Sequence, residues 1–345
     1  MDAPILRPPS AQPAPERELR PVVAVPPRSA SSRVAERPTG RIPDLLFKAL
    51  IALCALSVIT IVVLIVMELV HGSQLSLKQF GWKFFFAQTW DPVAGDFGAL
   101  PFIFGTLVSS GIALLLAVPL GVGVAIFATE MCSRPLRGPL FFLVELLAAI
   151  PSVIYGLWGI FVLAPLLRTV VEPWLAKYFK WTGLFEGPMY GIGMLAAGLI
   201  LAVMVVPFVA SITREVMMAV PRAQKEAVLA LGATRWEMIR VGVLRNARIG
   251  IVGGVILGLG RALGETMAVT MVIGNRPEIA RSLFAPGYTL ASVIANEFTE
   301  ATENIYLSAL VEIALALFIV TLIVNAAARL LVWSITRGAP ARSHG

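Results

Sequence analysis

Residues 220–250 read VPRAQKEAVLALGATRWEMIRVGVLRNARIG, the most informative polar stretch of a chain that is otherwise strongly apolar. Pro221 stands at a helix start, Ala223, Ala227 and Leu231 fall on one face at four-residue spacing, and Gly232 can end that helix in the left-handed conformation. Thr234 followed three residues later by Glu237 is a capping box that starts a second helix. The stretch therefore predicts a helix, a sharp turn and a helix, flanked on both sides by long apolar runs. Two readings stand for it. A short helix pair with a fixed glycine hinge is what a partner needs in order to push on the molecule; the alternative is an amphipathic connector resting on lipid headgroups.

Outward from this stretch the chain is 57% hydrophobic and 14% charged, against the roughly 25% charged of a soluble globular domain. Six apolar runs each supply the roughly 20 residues that cross a hydrocarbon core. They lie near Leu45 to Val70, Ala99 to Thr129, Leu136 to Leu167, Pro188 to Thr213, Ile249 to Asn275 and Ile305 to Trp333. The expectation is an all-α membrane protein with a six-helix domain over 44–335 and a polar connecting loop over 214–248. The Pro-, Ala-, Ser- and Arg-rich residues 1–43 cannot bury enough apolar surface to fold and are expected to be a disordered tail in contact with lipid headgroups or with nothing; residues 336–345 form a second tail. The first apolar run lacks a short core followed by a small-residue cleavage site and reads as a retained anchor.

The 28 basic residues fix orientation. With the N-terminus cytoplasmic, 20 of them fall inside, 7 outside and one, Arg261, within the membrane; the inverted topology reverses the ratio and is disfavoured. Both termini are expected in the cytoplasm of a multi-pass protein of the plasma (inner) membrane. The basic excess of +7 thus sets membrane orientation and gives no stripe for nucleic acid.

Arg261 stands out on physical grounds. If the fifth run enters the bilayer at about Ile249, a rise of about 1.5 Å per residue puts Arg261 roughly 18 Å deep. A charge there costs at least about 2.5 kcal/mol, so it faces the bundle interior and needs a partner, for which Glu265 one turn on is the candidate. In one reading the two neutralise each other at i,i+4. In the other the guanidinium donates paired hydrogen bonds to a tetrahedral oxyanion, and Glu265 orients it or rejects fully deprotonated anions. Glu145 reads as a carboxylate within the third run, ahead of a kink at Pro151 that brings Ser152 and Tyr155 to the pathway; the alternative has Ser152 capping its own backbone and Tyr155 packing. Gly250, Gly254 and Gly258 on one face of the fifth run, and Gly260 and Gly264 on another, have the spacing of close helix contacts.

Catalytic and metal constellations are missing from the sequence. No G-x4-G-K-[ST] loop occurs, and two cysteines (Cys54, Cys132) and two histidines (His71, His344) form no catalytic or metal spacing. No cofactor is expected on this chain, which reads as a transport component and not an enzyme.

Glu226, Ala227 and Gly232, in the pattern E-A-x4-G, resemble the EAA loop of ABC-importer permeases. Val228 stands where a third Ala is usual, Gly242 where Ile is usual and Arg245 where a closing Pro is usual. The segments TWDPVAGDFGALPFIFGTLVSS (89–110), ELLAAIPSVIYGLWGIFVLAP (145–165) and GLGRALGETMAVTMVIGN (258–275) are similar to phosphate-specific permeases of the PstC type. The resemblance implies a MetI-like bundle that forms the pathway of an inorganic phosphate importer. It implies coupling through Glu226, Ala227 and Gly232 to two copies of a PstB-type ATPase, which uses ATP and Mg. A second, PstA-type permease and an extracytoplasmic PstS-type phosphate-binding protein complete the assembly, the latter docking around Trp82 to Asp96 and Arg276 to Glu303. An importer permease for molybdate or sulfate is the alternative within this class, and an ion-coupled secondary transporter the alternative outside it.

Overall fold

The computed structural model describes residues 41–336, and by its internal contacts the chain divides into two units, Met1–Ile61 and Val62–Gly345. Apart from Arg41, Ile42, Pro43 and Thr336, the two tails expected from composition lie outside the described residues. The described part of the first unit is the start of helix α1 (Arg41–Gly72). There Ser57 and Thr60 donate back to the carbonyls of Cys54 and Leu56, so that neither hydroxyl is stranded in an apolar setting.

The second unit continues with α2 (Gln74–Phe80), a 3-10 turn over Gly81–Phe85, and a two-stranded hairpin, β1 (Trp90–Asp91) and β2 (Asp96–Phe97), pairing Trp90 with Phe97. Asp91 closes the hairpin by accepting from the amides of Val93 and Ala94. Helix α3 (Leu100–Ile126) widens into a π turn over Phe127–Met131, and α4 (Arg134–Ala149) follows. After Pro151 come α5 (Ser152–Trp158), α6 (Ala164–Leu166) and α7 (Glu172–Phe179), joined into one rod by π turns at Gly159–Leu163 and Leu167–Val171. Each wide turn ends two residues before a proline, Pro165 or Pro173. The proline ring displaces the carbonyl four residues back, and the extra residue in the turn absorbs the displacement.

Helix α8 (Met194–Met218) is apolar all round from Met194 to Ala210 and forms the centre of the bundle, with Ala197, Ile200, Val205, Val209 and Met217 fully buried. Short helices α9 (Arg222–Ala230) and α10 (Arg235–Glu237) lead through a π turn, Met238–Leu244, into α11 (Arg245–Leu263). Then come α12 (Met267–Val272), α13 (Leu290–Glu297) and α14 (Asn304–Thr336). Among the described residues six helices are long and apolar enough to cross a membrane: Asp44–Gly72, Leu100–Met131, Ser152–Thr182, Met194–Met218, Arg235–Leu263 and Asn304–Ser334. The expected all-α, six-span bundle is what the chain forms.

Three spans are redrawn, the fourth beginning at Met194 and not at Pro188. The third span begins at Ser152 and runs to Thr182, not from Leu136 to Leu167. Pro151 holds Ile150 in an extended conformation (ψ 129°), which ends α4. The fifth span starts earlier than Ile249 and breaks after Leu263, where Gly264, Glu265 and Thr266 separate α11 from α12.

Glycines set the contact between α11 and α8. A Cβ on Gly250, Gly254 or Gly258 would lie 2.5 Å, 2.9 Å and 2.9 Å from side-chain carbons of Val216, Ile212 and Val205, so these positions accept hydrogen only. On the other glycine face Gly260 meets nothing within 4 Å, and Gly264 meets only the Gly260 carbonyl at 3.6 Å. The first face packs; the second leaves room.

Candidate functional site

Arg261 lies in the last turn of α11, half-buried, with its guanidinium over the ring of Phe208 at 4.3 Å from the ring centre. Phe208 is in the middle of α8, about 21 Å from its N-terminal end and about 15 Å from its C-terminal end at 1.5 Å per residue. The arginine therefore sits at mid-span, level with the open flank of Gly260. Its Nε is buried and has no hydrogen-bond partner, and no ion pair joins it to a carboxylate among the described residues.

Glu265 is not that partner. The helix ends before it, so the i,i+4 geometry that an unbroken helix gives does not form, and Glu265 instead accepts from the amide of Ala268 at 3.3 Å, starting α12. The neutralising pair expected as one alternative is thus absent, and the two side chains share only the break at Gly264. Tyr155 is on α5, four residues before the first wide turn of the rod. The tyrosine is buried, and its hydroxyl donates to the carbonyl of Leu147 at 2.6 Å, taking up a carbonyl near the end of α4. Ser152 is half-buried in the first turn of α5 and makes no cap; Pro151 holds the cap position. Gly156 allows Met271 and Ala268 of α12 to approach this turn closely, so α5 packs against the segment after the helix break.

Glu145 is elsewhere. It is on α4, outside the Ser152–Thr182 span, with its side chain 59% exposed, and it accepts from Arg214 at 3.1 Å. The intramembrane position expected for it followed from running the third span too early.

The polar loop forms as its sequence predicts. Arg222 opens α9 after Pro221, Gly232 turns at φ +84°, and Thr234 and Glu237 make the reciprocal capping box. Glu226 and Ala227 are exposed on the outer side of α9, with Leu231 and Trp236 beside them at 89% and 60% exposure. On the inner side Val228 faces Gly242 at 3.4 Å from where a Cβ would be. The two departures from the EAA pattern thus complement each other, a larger residue at 228 against the glycine at 242. With Arg245 in place of proline, the chain passes into α11 without a break.

Sequence reasoning missed several residues. Lys225 points inward from α9 to Glu130 at 2.6 Å, and Arg214 lies over Phe141 at 3.8 Å. Glu312 on α14 is fully buried, with both oxygens unpartnered. Lone carboxylates at 130 and 312 inside or at the edge of apolar runs were the available signals; Phe208, one aromatic among many apolar residues, gives none.

At the hairpin end, the two loops expected to dock a binding protein meet. Trp90 and Tyr306 both donate to Glu297 at 2.8 Å, and Trp90, Phe97, Phe102 and Tyr288 stack edge to face. Burial, together with the nearby Glu297 carboxylate, pushes the Tyr288 hydroxyl well above its ordinary range, so it stays protonated and accepts from Asn296. Trp82, Phe86 and Val93 remain exposed there at 82%, 74% and 99%.

Comparison with known proteins gives the family and the fold. Residues 117–337 match the family described as binding-protein-dependent transport system inner membrane component. The phosphate transport system permease protein PstC of Mesorhizobium japonicum is 49% identical over 307 residues, covering 88% of this chain and 94% of that protein. Its namesake from Haemophilus influenzae is 47% identical, covering 83% and 92%. The crystal structure of a bacterial ABC transporter involved in the import of the acidic polysaccharide alginate shares the fold, with a TM-score of 0.55 at 19% identity over 83% of this chain and 97% of that one.

Proposed function

We propose, from the premise that this chain belongs to the binding-protein-dependent transport system inner membrane component family, that it is the permease subunit of an ATP-driven inorganic phosphate importer and carries the anion past Arg261. The observation that supports this most is a mid-span arginine with no carboxylate, resting on an aromatic face beside an open glycine flank. Stacking on Phe208 offsets part of the desolvation of the guanidinium without using its in-plane N–H groups. Those groups form a fork that matches two oxygens of a tetrahedral phosphate. Gly260 and the helix break at Gly264 leave space next to the same point.

The rest of the reading follows from the loop and the hairpin. The exposed face of α9, with Glu226, Ala227 and the Gly232 hinge, docks on a cytoplasmic ATPase of PstB type, where ATP and Mg are used. This chain pairs with a PstA-type permease, the hairpin end receives a PstS-type binding protein, and both termini are cytoplasmic. ATPase closure drives α9, and the rigid passage from α10 into α11 carries that motion to the break beside Arg261.

The test is radiolabelled phosphate uptake in cells lacking their own importer and supplied with the partner subunits. Arg261→Ala, at equal membrane abundance, is expected to abolish ATP-dependent uptake, and Arg261→Lys to retain part of it. Unchanged uptake in Arg261→Ala would return the residue to a structural role; no uptake by the unaltered chain, with molybdate or sulfate carried instead, would replace the substrate.

A further inference from the structure

Where α3, α4, α8 and α9 converge, a cavity of about 280 Å³ is lined by Arg137, Arg214, Arg222 and Lys225, together with Glu130 and Phe141. Its charges do not balance. Glu130 answers Lys225 at 2.6 Å and Glu145, outside the cavity, answers Arg214 at 3.1 Å. Among the described residues neither Arg137 nor Arg222 meets a carboxylate. Arg137 is held by one hydrogen bond, from Nε to the carbonyl of Cys132 at 3.2 Å. Arg214 lies over the ring of Phe141 at 3.8 Å from its centre, and its Nε is buried without an acceptor.

Two guanidiniums in excess around one partly enclosed space repel each other, and the repulsion is relieved by an anion between them. Their planar forks suit an oxyanion with several oxygens, and the half-apolar lining from Phe141 and Met218 suits an anion carried on an organic stem.

We propose that this cavity binds a phosphate-bearing anion, held by Arg137 and Arg222 against the Arg214 plane. The ligand joins α9 to the bundle: Arg222 belongs to the moving loop, Arg137 and Arg214 to α4 and α8. An occupied cavity therefore stiffens the link through which α9 is displaced, and an empty one loosens it. The phosphate group has two possible sources, the headgroup of an anionic lipid such as phosphatidylglycerol or free inorganic phosphate, and both present the same chemistry to the arginines.

The experiment uses the purified complex of the two permeases with the ATPase, without the phosphate-binding protein. One arm measures retention of phosphatidylglycerol against phosphatidylcholine by native mass spectrometry. The other measures binding of radiolabelled inorganic phosphate by equilibrium dialysis in an Arg261→Ala background, which removes the transport pathway from the reading. Selective retention of phosphatidylglycerol identifies a headgroup, and saturable phosphate binding identifies the free anion. In either arm Arg137→Gln with Arg222→Gln is expected to weaken binding about tenfold or more, the loss of charge-assisted hydrogen bonds, while Arg222→Lys keeps most of it. Arg222→Gln alone, at an exposed position, gives the same direction if the double variant does not assemble. The proposal is overturned if neither probe binds above its phosphatidylcholine or chloride control, or if the glutamine variants bind as the unaltered complex does.

Discussion

Helix α8 meets two arginines, and it treats them differently. Near its C-terminal end Arg214, on α8 itself, lies over the ring of Phe141 with Glu145 at 3.1 Å; at its middle Phe208 carries Arg261, which has no carboxylate. The aromatic support is common to both, and the counter-charge is not. At the end of the helix, where Glu130 and Lys225 form a second pair, ionic partners hold elements together. At mid-span no carboxylate meets the guanidinium and its Nε has no partner, the arrangement that the proposed passage of phosphate calls on. A charge within the membrane without a partner costs stability.

The comparison breaks most easily at the paired end. Glu130→Gln leaves the Lys225 ammonium, whose side chain is only 21% exposed, without its partner. A loss of about 3 kcal/mol is expected, read as a fall in the thermal midpoint of the purified complex. An unchanged midpoint would show that charge pairing does not hold α9 to the bundle. Phe208→Leu removes the face beneath Arg261 and is expected to cost about 1–2 kcal/mol. Uptake should fall several-fold at constant membrane abundance, because the arginine loses its orientation; full uptake would separate the stack from transport. Glu145→Gln should do least. With 59% of the glutamate side chain exposed, its pair with Arg214 is worth about 0–1 kcal/mol, and uptake and midpoint should both stay close to the unaltered values. A large effect there would make the two arginines of α8 more alike than their surroundings suggest.

How legible each region was in the sequence depends on how local its rules are. The turn at Gly232 and the Thr234–Glu237 box were readable to the residue, because left-handed glycine and capping geometry are decided within a few positions. The spans were readable from length and apolarity, except where apolarity runs on without a gap. Residues 140–150 are as hydrophobic as those after Pro151, so run length alone carried the third span across a real helix end. Arg261 was legible as a mid-membrane charge. Its relation to Glu265 was misread because i,i+4 pairing presumes a continuous helix, and Gly264 with its neighbours ends this one. Phe208, Arg214 with Glu145, and Lys225 with Glu130 are contacts between residues 53 to 95 positions apart, and no periodicity reports them.

The stack of Arg261 on Phe208 also bears on how the polypeptide is made. Synthesis runs from α8 to α11, so the segment carrying Phe208 leaves the ribosome before the segment carrying Arg261. A circular permutant that presents α11 before α8 reverses this order and forces the charge to enter alone. The linear order of these two helices thus decides whether Arg261 enters the bilayer after or before the ring that supports it has been synthesised.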